Sequence, residues 1–267
     1  INLLLALISA RISIHILKIS METPKVYYSL LAIGVFLAGS NILNDIFDIK
    51  TDKINRPNKP IPAGKIKITN AVISSIFLFS IGIFSLYKVQ PLGINLVIFI
   101  IFPILVLYTP VFKSIPFIGN LMVSFLLGSV FIFIEAAITN MITHMWFPAM
   151  LAIHLTYNRE MIKDLEDMAG DQIANIITLP ILKGVKWSIN SLICSSILLI
   201  IWPIVAINLG AAGKLTLFVY VIGFLPVFLS TVIYLLLKKE NANFRKLSIM
   251  LKISTIIGMI VILTIPY

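Results

Sequence analysis

The chain has 267 residues, of which 59% are hydrophobic and only 12% charged, and its mean hydropathy is +1.04. That is more apolar surface than one water-soluble core can hide, so the composition excludes a soluble domain and reads as a membrane protein. The formal net charge of +10 comes without an aromatic-interleaved basic patch, so it is read as a topology signal and no nucleic-acid partner is expected.

Apolar stretches of about 20 residues are enough, at 1.5 Å per residue, to cross about 30 Å of hydrocarbon, and they predict helical spans rather than barrel strands. The expected fold is all-α and polytopic, a single domain over residues 1–267 with about nine transmembrane helices. The first predicted span, residues 1–20, is interrupted by Arg11; because Ile1 is not a methionine, the true N-terminus is expected upstream, a cleaved signal peptide being the less simple account. The second span, residues 26–46, runs into "NDIFDIKTD" at 44–52. On a helix Asp45, Asp48 and Asp52 share an arc of about 60°, with Asn41 on the same side and Asn44 next to Asp45 in sequence. The connector "KINRPNKPIPAGK" follows, setting Lys53, Arg56, Lys59 and Lys65 beside those carboxylates and stiffened by Pro57, Pro60 and Pro62.

Spans at 69–87 and 92–109 come next, then "YTPVFKSIPFIGN" at 108–120, which carries Tyr108, Lys113 and Asn120. In the span 117–139, Glu135 is the only acid well inside an apolar run, and it is expected near the outer end, where its cost falls. The span 144–162 contains His144 and His154, which lack ligand-like spacing and read as structural. It leads into "DLEDMAGD" at 164–171, where Asp164, Asp167 and Asp171 repeat the earlier spacing, with Tyr157 and Glu160 on their stripe and Glu166 pointing away. Spans at 187–208, 214–237 and 246–266 complete the chain, and the single Cys194 rules out a disulfide framework. Pro103, Pro148, Pro203 and Pro226 are expected to kink their helices.

Connectors alternate between two faces, and fifteen of the 21 basic residues fall on one of them, which the positive-inside rule assigns to the cytoplasm. Eight of the eleven acidic residues lie in two clusters on that same face. Carboxylates facing one another there would repel by about a few kcal/mol per close pair at an effective dielectric near 20, so a cation belongs between them. Oxygen-only ligands without histidine or cysteine favour Mg²⁺ over zinc or copper, and Mg²⁺ completes its shell with substrate phosphates. A metal-bridged diphosphate is therefore the expected ligand. A cation-coupled transporter, the reading from another class, would set ionisable groups near the bilayer midplane on broken helices, whereas these cluster at one interface.

Taken together, "NDIFDIKTD", "INRPNKPIPAGKI" and "REMIKDLEDMAGD" resemble the UbiA superfamily of intramembrane prenyltransferases, over nearly the whole chain. The pattern N-D-x-x-D-x-x-x-D falls on Asn44, Asp45, Asp48 and Asp52, and D-x-x-x-D on Asp167 and Asp171, with Asp164 extending it. The family's Tyr, Lys and Asn after its fourth helix correspond to Tyr108, Lys113 and Asn120. One departure is that the Arg and Asn which members carry near the start of the first helix have no counterpart here, Arg11 lying deeper in its span. Within the superfamily these segments are most similar to members that make the second ether bond of archaeal lipids.

The resemblance implies helices ringed around a central cavity with a polar site at the cytoplasmic end. It also implies Mg²⁺-dependent transfer of a geranylgeranyl group from geranylgeranyl diphosphate to the hydroxyl of geranylgeranylglyceryl phosphate. Asn41, Asn44, Asp45, Asp48 and Asp52 are the expected metal ligands on one side, and Asp164, Asp167 and Asp171 on the other. Lys113, Arg56, Tyr157, Tyr108, Asn120 and Lys163 are expected to contact substrates. The partners implied are the prenyl diphosphate, a lipid-like phosphate acceptor and membrane lipids, with no obligate protein partner; a family member with an aromatic acceptor, in quinone or haem synthesis, is the neighbouring reading.

Overall fold

The computed structural model describes residues 7–12, 15, 24–173 and 176–265, and every regular element among them is a helix. In chain order these are α1 (Pro24–Phe47), α2 (Ile49–Asn55), α3 (Ile68–Lys88), α4 (Pro91–Tyr108), α5 (Ile118–Thr139), α6 (Trp146–Ile173), α7 (Leu179–Lys183), α8 (Val185–Asn208), α9 (Lys214–Lys238) and α10 (Phe244–Leu263). Among the described residues seven helices, namely α1, α3, α4, α5, α8, α9 and α10, are long and apolar enough to cross a membrane. The all-α, multi-pass class expected from composition therefore holds, with seven such helices in place of nine.

The two remaining predicted spans account for the difference. Residues 1–20 fall largely outside the described residues, although 7–12 are helical. The span 144–162 is the first part of α6, whose 28 residues make a rod about 42 Å long. From residue 159 onward it carries Arg159, Glu160, Lys163, Asp164, Glu166, Asp167 and Asp171, which dilute its hydropathy. The helix lies at the centre of the molecule, packed against α5, α8 and α10, with Phe147, Met161 and Ile162 fully buried, while Lys163, Glu166 and Asp167 on its later part are exposed. Contact with α5 is close. A Cβ added at Gly128 would come within 2.8 Å of the Ala149 carbonyl oxygen, so glycine lets the two backbones meet.

Two of the four prolines distort their helices by a common device. A π turn over Val97–Ile101 directly precedes Pro103 in α4, and another over Tyr220–Phe224 precedes Pro226 in α9. A proline has no N–H and its ring excludes the carbonyl four residues back, so a widened turn takes up the mismatch. Pro203 lies inside α8. Pro148 differs from expectation: it is the third residue of α6, in the first turn where an N–H has no intrahelical partner to lose, so it starts the helix instead of kinking it. Phe36, Phe79 and Phe102 knit α1, α3 and α4 together, with ring centroids 5.6 Å apart for Phe36–Phe102 and 5.4 Å for Phe79–Phe102.

Candidate active site

The first acidic motif is not one helix. The chain leaves α1 at Phe47 and enters α2 at Ile49, with Asp48 at the break in a bridge conformation (φ −83°, ψ 3°). Helical hydrogen bonding nevertheless continues across it, from Asp48 N–H to the Asn44 carbonyl at 2.9 Å and from Asp52 N–H to the Asp48 carbonyl at 2.8 Å. The shared face therefore survives the break. Lys59, from the connector, donates to Asp45 Oδ1 at 2.8 Å and to Asp52 Oδ2 at 2.7 Å. Those hydrogen bonds hold its ammonium charged beyond the ordinary lysine range, with burial opposing them. Lys113 takes the third carboxylate, with Nζ 2.8 Å from Asp48 Oδ1 and 3.3 Å from Asn44 Oδ1.

Lys113 and Asn120 are presented by the strap between α4 and α5. Ile118 N–H donates to the Pro116 carbonyl at 2.8 Å, closing a γ-turn about Phe117 at φ 69° and ψ −48°, a conformation that a bulky residue rarely adopts. The Phe117 ring stands edge-on to Tyr157, with centroids 6.0 Å apart. A Cβ on Gly119 would lie 3.0 Å from the Phe112 carbonyl oxygen, so the strap folds tightly there. The turn launches α5 with Asn120 in its first turn, and Asn120 Nδ2 donates to Asp164 Oδ2 at 2.8 Å.

The second acidic motif lies on the unbroken α6, beyond the 144–162 run. Burial pushes the Asp164 carboxyl up to about 6; the Asn120 hydrogen bond works against this, while Glu160 and Asp171 add to it. Asp171 is also raised, by burial first and then by Asp167. Arg159 pairs with its neighbour Glu160 at 2.8 Å.

The first motif reaches one end of a cavity of about 440 Å³ between α1, α4, α5 and α6 through Asn44, and α6 reaches it through Arg159 and Glu160, one turn before the second motif, whose own carboxylates are not in the lining. Asn41, Asn44, Lys113, Arg159 and Glu160 line its polar end, and Ile33, Phe36, Val97, Val130 and Phe133 line the rest. Tyr108, also in the lining, lies within electrostatic reach of Asp48, Glu160 and Asp164. A polar mouth above an apolar pouch suits an amphiphile with an anionic head.

The UbiA prenyltransferase family model matches residues 6–256. The chain belongs to this family. Digeranylgeranylglyceryl phosphate synthase of Methanococcus aeolicus is 41% identical to it over 179 residues, a stretch covering 64% of this chain and 62% of that relative, so the chain spans less than two thirds of that protein's length. A solved structure of digeranylgeranylglyceryl phosphate synthase matches with a TM-score of 0.88 and 27% identity, covering 99% of this chain and 92% of that one. A UbiA homologue from Archaeoglobus fulgidus bound to DMAPP and Mg²⁺ shares the fold, with a TM-score of 0.69 and 18% identity over 98% of this chain and 95% of that one.

Within this UbiA chain the structure sorts the residues read from sequence. Asn41, Asn44, Tyr108 and Lys113 line the cavity, Asp45, Asp48 and Asp52 are gripped by lysines at its mouth, and Asn120 binds Asp164. Arg56, Lys163 and Asp167 are exposed, and Tyr157 is buried against Phe117, outside the cavity lining. Of the connector's cations it is Lys59 that turns inward, a selection no spacing rule announces. Thr109, whose hydroxyl donates to Asn44 Oδ1 at 3.3 Å, and Thr156, in the cavity wall, carry no sequence signal at all. Among the described residues no three His, Cys, Asp or Glu side chains already surround a common point. Asp45 and Asp52 converge as a pair, and this all-oxygen set fits a hard ion that keeps water and substrate oxygens in its shell.

Proposed function

We propose that this chain is a digeranylgeranylglyceryl phosphate synthase, transferring a geranylgeranyl group from geranylgeranyl diphosphate to the hydroxyl of geranylgeranylglyceryl phosphate at the cytoplasmic side of an archaeal cell membrane. The observation that carries the reading is the convergence of Asp45 and Asp52 on one cation, with Lys113 on Asp48, at the mouth of an apolar cavity. The named relatives support the acceptor, and the homologue bound to DMAPP and Mg²⁺ supports the donor class and the metal.

Asn41, Asn44, Asp45, Asp48 and Asp52 would hold one Mg²⁺ and Asp164, Asp167 and Asp171 another, each supplying positive charge to the diphosphate. The apolar wall from Ile33 to Phe133 holds the prenyl chain and keeps water from the allylic carbon. Lys113 Nζ donates to the diphosphate as the allylic C–O bond breaks and its electron pair passes to the leaving oxygen. The acceptor hydroxyl oxygen then bonds to that carbon, and its proton passes to solvent. Tyr108 orients the diphosphate from the cavity wall, and Asn120 fixes Asp164. Arg56 and Lys163, exposed at the rim, meet the phosphate of the arriving acceptor, and Tyr157 supports the strap through Phe117.

Purified protein incubated with Mg²⁺, geranylgeranyl diphosphate and a panel of phosphorylated-glycerol and aromatic acceptors, with products identified by mass, tests this. Prenylation of geranylgeranylglyceryl phosphate is expected. Prenylation of an aromatic acceptor alone, or cation flux in proteoliposomes without turnover, overturns it.

A further inference from the structure

Lys59 stands on no helix, yet its ammonium is bound by carboxylates on both sides of the Asp48 break, at 2.8 Å from Asp45 Oδ1 and 2.7 Å from Asp52 Oδ2. The neighbouring cations Lys53, Arg56, Lys65 and Lys67 are exposed, whereas Lys59 is half-buried. Its turn is held by its own backbone: Ala63 N–H donates to the Lys59 carbonyl at 2.9 Å and Lys65 N–H to the Pro60 carbonyl at 2.9 Å. Gly64 closes the turn at φ +73°, a conformation that would strain any side chain. Lys59 is thus delivered to a defined place by a stiff turn, on a long side chain that can swing away.

We propose that Lys59 is an internal counter-ion: it keeps the first carboxylate set assembled before a divalent cation arrives, is displaced by that cation, and turns its ammonium to the substrate diphosphate. This rests on the function proposed above. An ammonium donates hydrogen bonds at about 2.8 Å, whereas Mg²⁺ binds the same oxygens at 2.0–2.1 Å with twice the charge. Both cations answer to one pair of oxygens, so they compete for one place. Once the divalent ion is in, the ammonium is repelled, and the diphosphate oxygens are the nearest new anion. Metal loading, the position of the 56–67 connector and capture of the donor become linked steps. Lys59 acts first on the carboxylates, as their counter-ion, and then on the diphosphate.

Mg²⁺ binding to the purified protein, measured by calorimetry without substrate, tests the competition. Lys59→Met is expected to tighten the dissociation constant about tenfold, the equivalent of losing two partly exposed charge-assisted hydrogen bonds, while Lys59→Arg stays no tighter than wild type. In the wild-type protein, Mg²⁺ is expected to speed acetylation of Lys59 by an amine-reactive ester several-fold, read by mass spectrometry, with Lys186 as the unaffected reference; this readout decides even where Lys59→Met fails to fold. If Mg²⁺ binds and needs Asp45, but Lys59→Met leaves the constant unchanged or weaker and the labelling rate does not move, Lys59 is no counter-ion while the metal reading stands. Absence of any Asp45-dependent Mg²⁺ binding in the wild type removes the metal reading, and the role of Lys59 with it.

Discussion

Replacing Glu135 by glutamine is expected to destabilise the protein by about 2–4 kcal/mol while leaving prenyl transfer intact. The carboxylate is 1% exposed and accepts from the backbone N–H groups of Thr143, His144 and Met145, each at 3.0 Å, and from the Thr143 hydroxyl at 2.8 Å. These bonds pin residues 140–145 to α5 just before α6 begins, where the carboxylate also meets the positive end of that helix's dipole. Oε2 accepts from two backbone N–H groups and Oε1 from one backbone N–H and the Thr143 hydroxyl, which can turn to accept, so a glutamine with its NH₂ in place of Oε1 sets donor against donor once, at His144 N–H. A buried donor left without a partner costs about 1–3 kcal/mol, and losing the negative charge that faces the helix N-terminus costs about 0.3–1 kcal/mol more, which together give the figure above. For a chain of 267 residues that corresponds to a melting temperature lower by about 4–7 °C in detergent. Asn120 and Glu135 are fifteen residues apart on α5, about 22 Å along its axis, so initial rates measured well below the transition should stay within about twofold of wild type. An unchanged melting temperature refutes the anchoring role, and a lost rate in a protein that melts normally refutes the separation of the two ends.

Three further outcomes are expected. Asp45→Ala and Asp167→Ala should each lower Mg²⁺-dependent transfer by at least about 100-fold with the protein still monodisperse on size exclusion; full activity in either removes the metal-site proposal. Lys113→Met should cut the rate at saturating donor by about 10- to 100-fold, with Lys113→Arg recovering part of it, since a cation must face both Asp48 and the leaving diphosphate. Because Asp164 is pushed up to about 6 by burial, the folded chain binds its proton more tightly than the unfolded chain does. In EDTA, stability from this group should therefore rise as pH falls from 7 through 6, and Asp164→Asn should flatten that part of the melting profile; an identical profile in the variant refutes the assignment.

Much of the architecture was legible because hydropathy answers to the bilayer alone: seven predicted runs match seven long apolar helices. The acidic spacing was legible too, since a helical period needs no tertiary partner. At Asp48 that reasoning gave the right facing for an incomplete reason: the helix breaks there, and the hydrogen bonds running across the break keep the face shared. Glu135 shows the opposite limit. An intramembrane acid is functional by default and the expected place near the outer end argued against that here, but its role as the anchor of a loop is visible only once the Thr143, His144 and Met145 amides are seen around it.

By itself the sequence determined the membrane class, the two carboxylate stripes and the residues that carry the family's motifs, because each follows from local chemistry repeated at a helical period. Tertiary structure alone decided that α6 is central, that Asn120 reaches Asp164, and that Lys59 rather than Arg56 reaches the carboxylates. The physical reason is range. Periodicity and hydropathy are read residue by residue against a uniform solvent, whereas the partner of a buried charge is set by which distant turn or helix the packed chain brings within hydrogen-bonding distance.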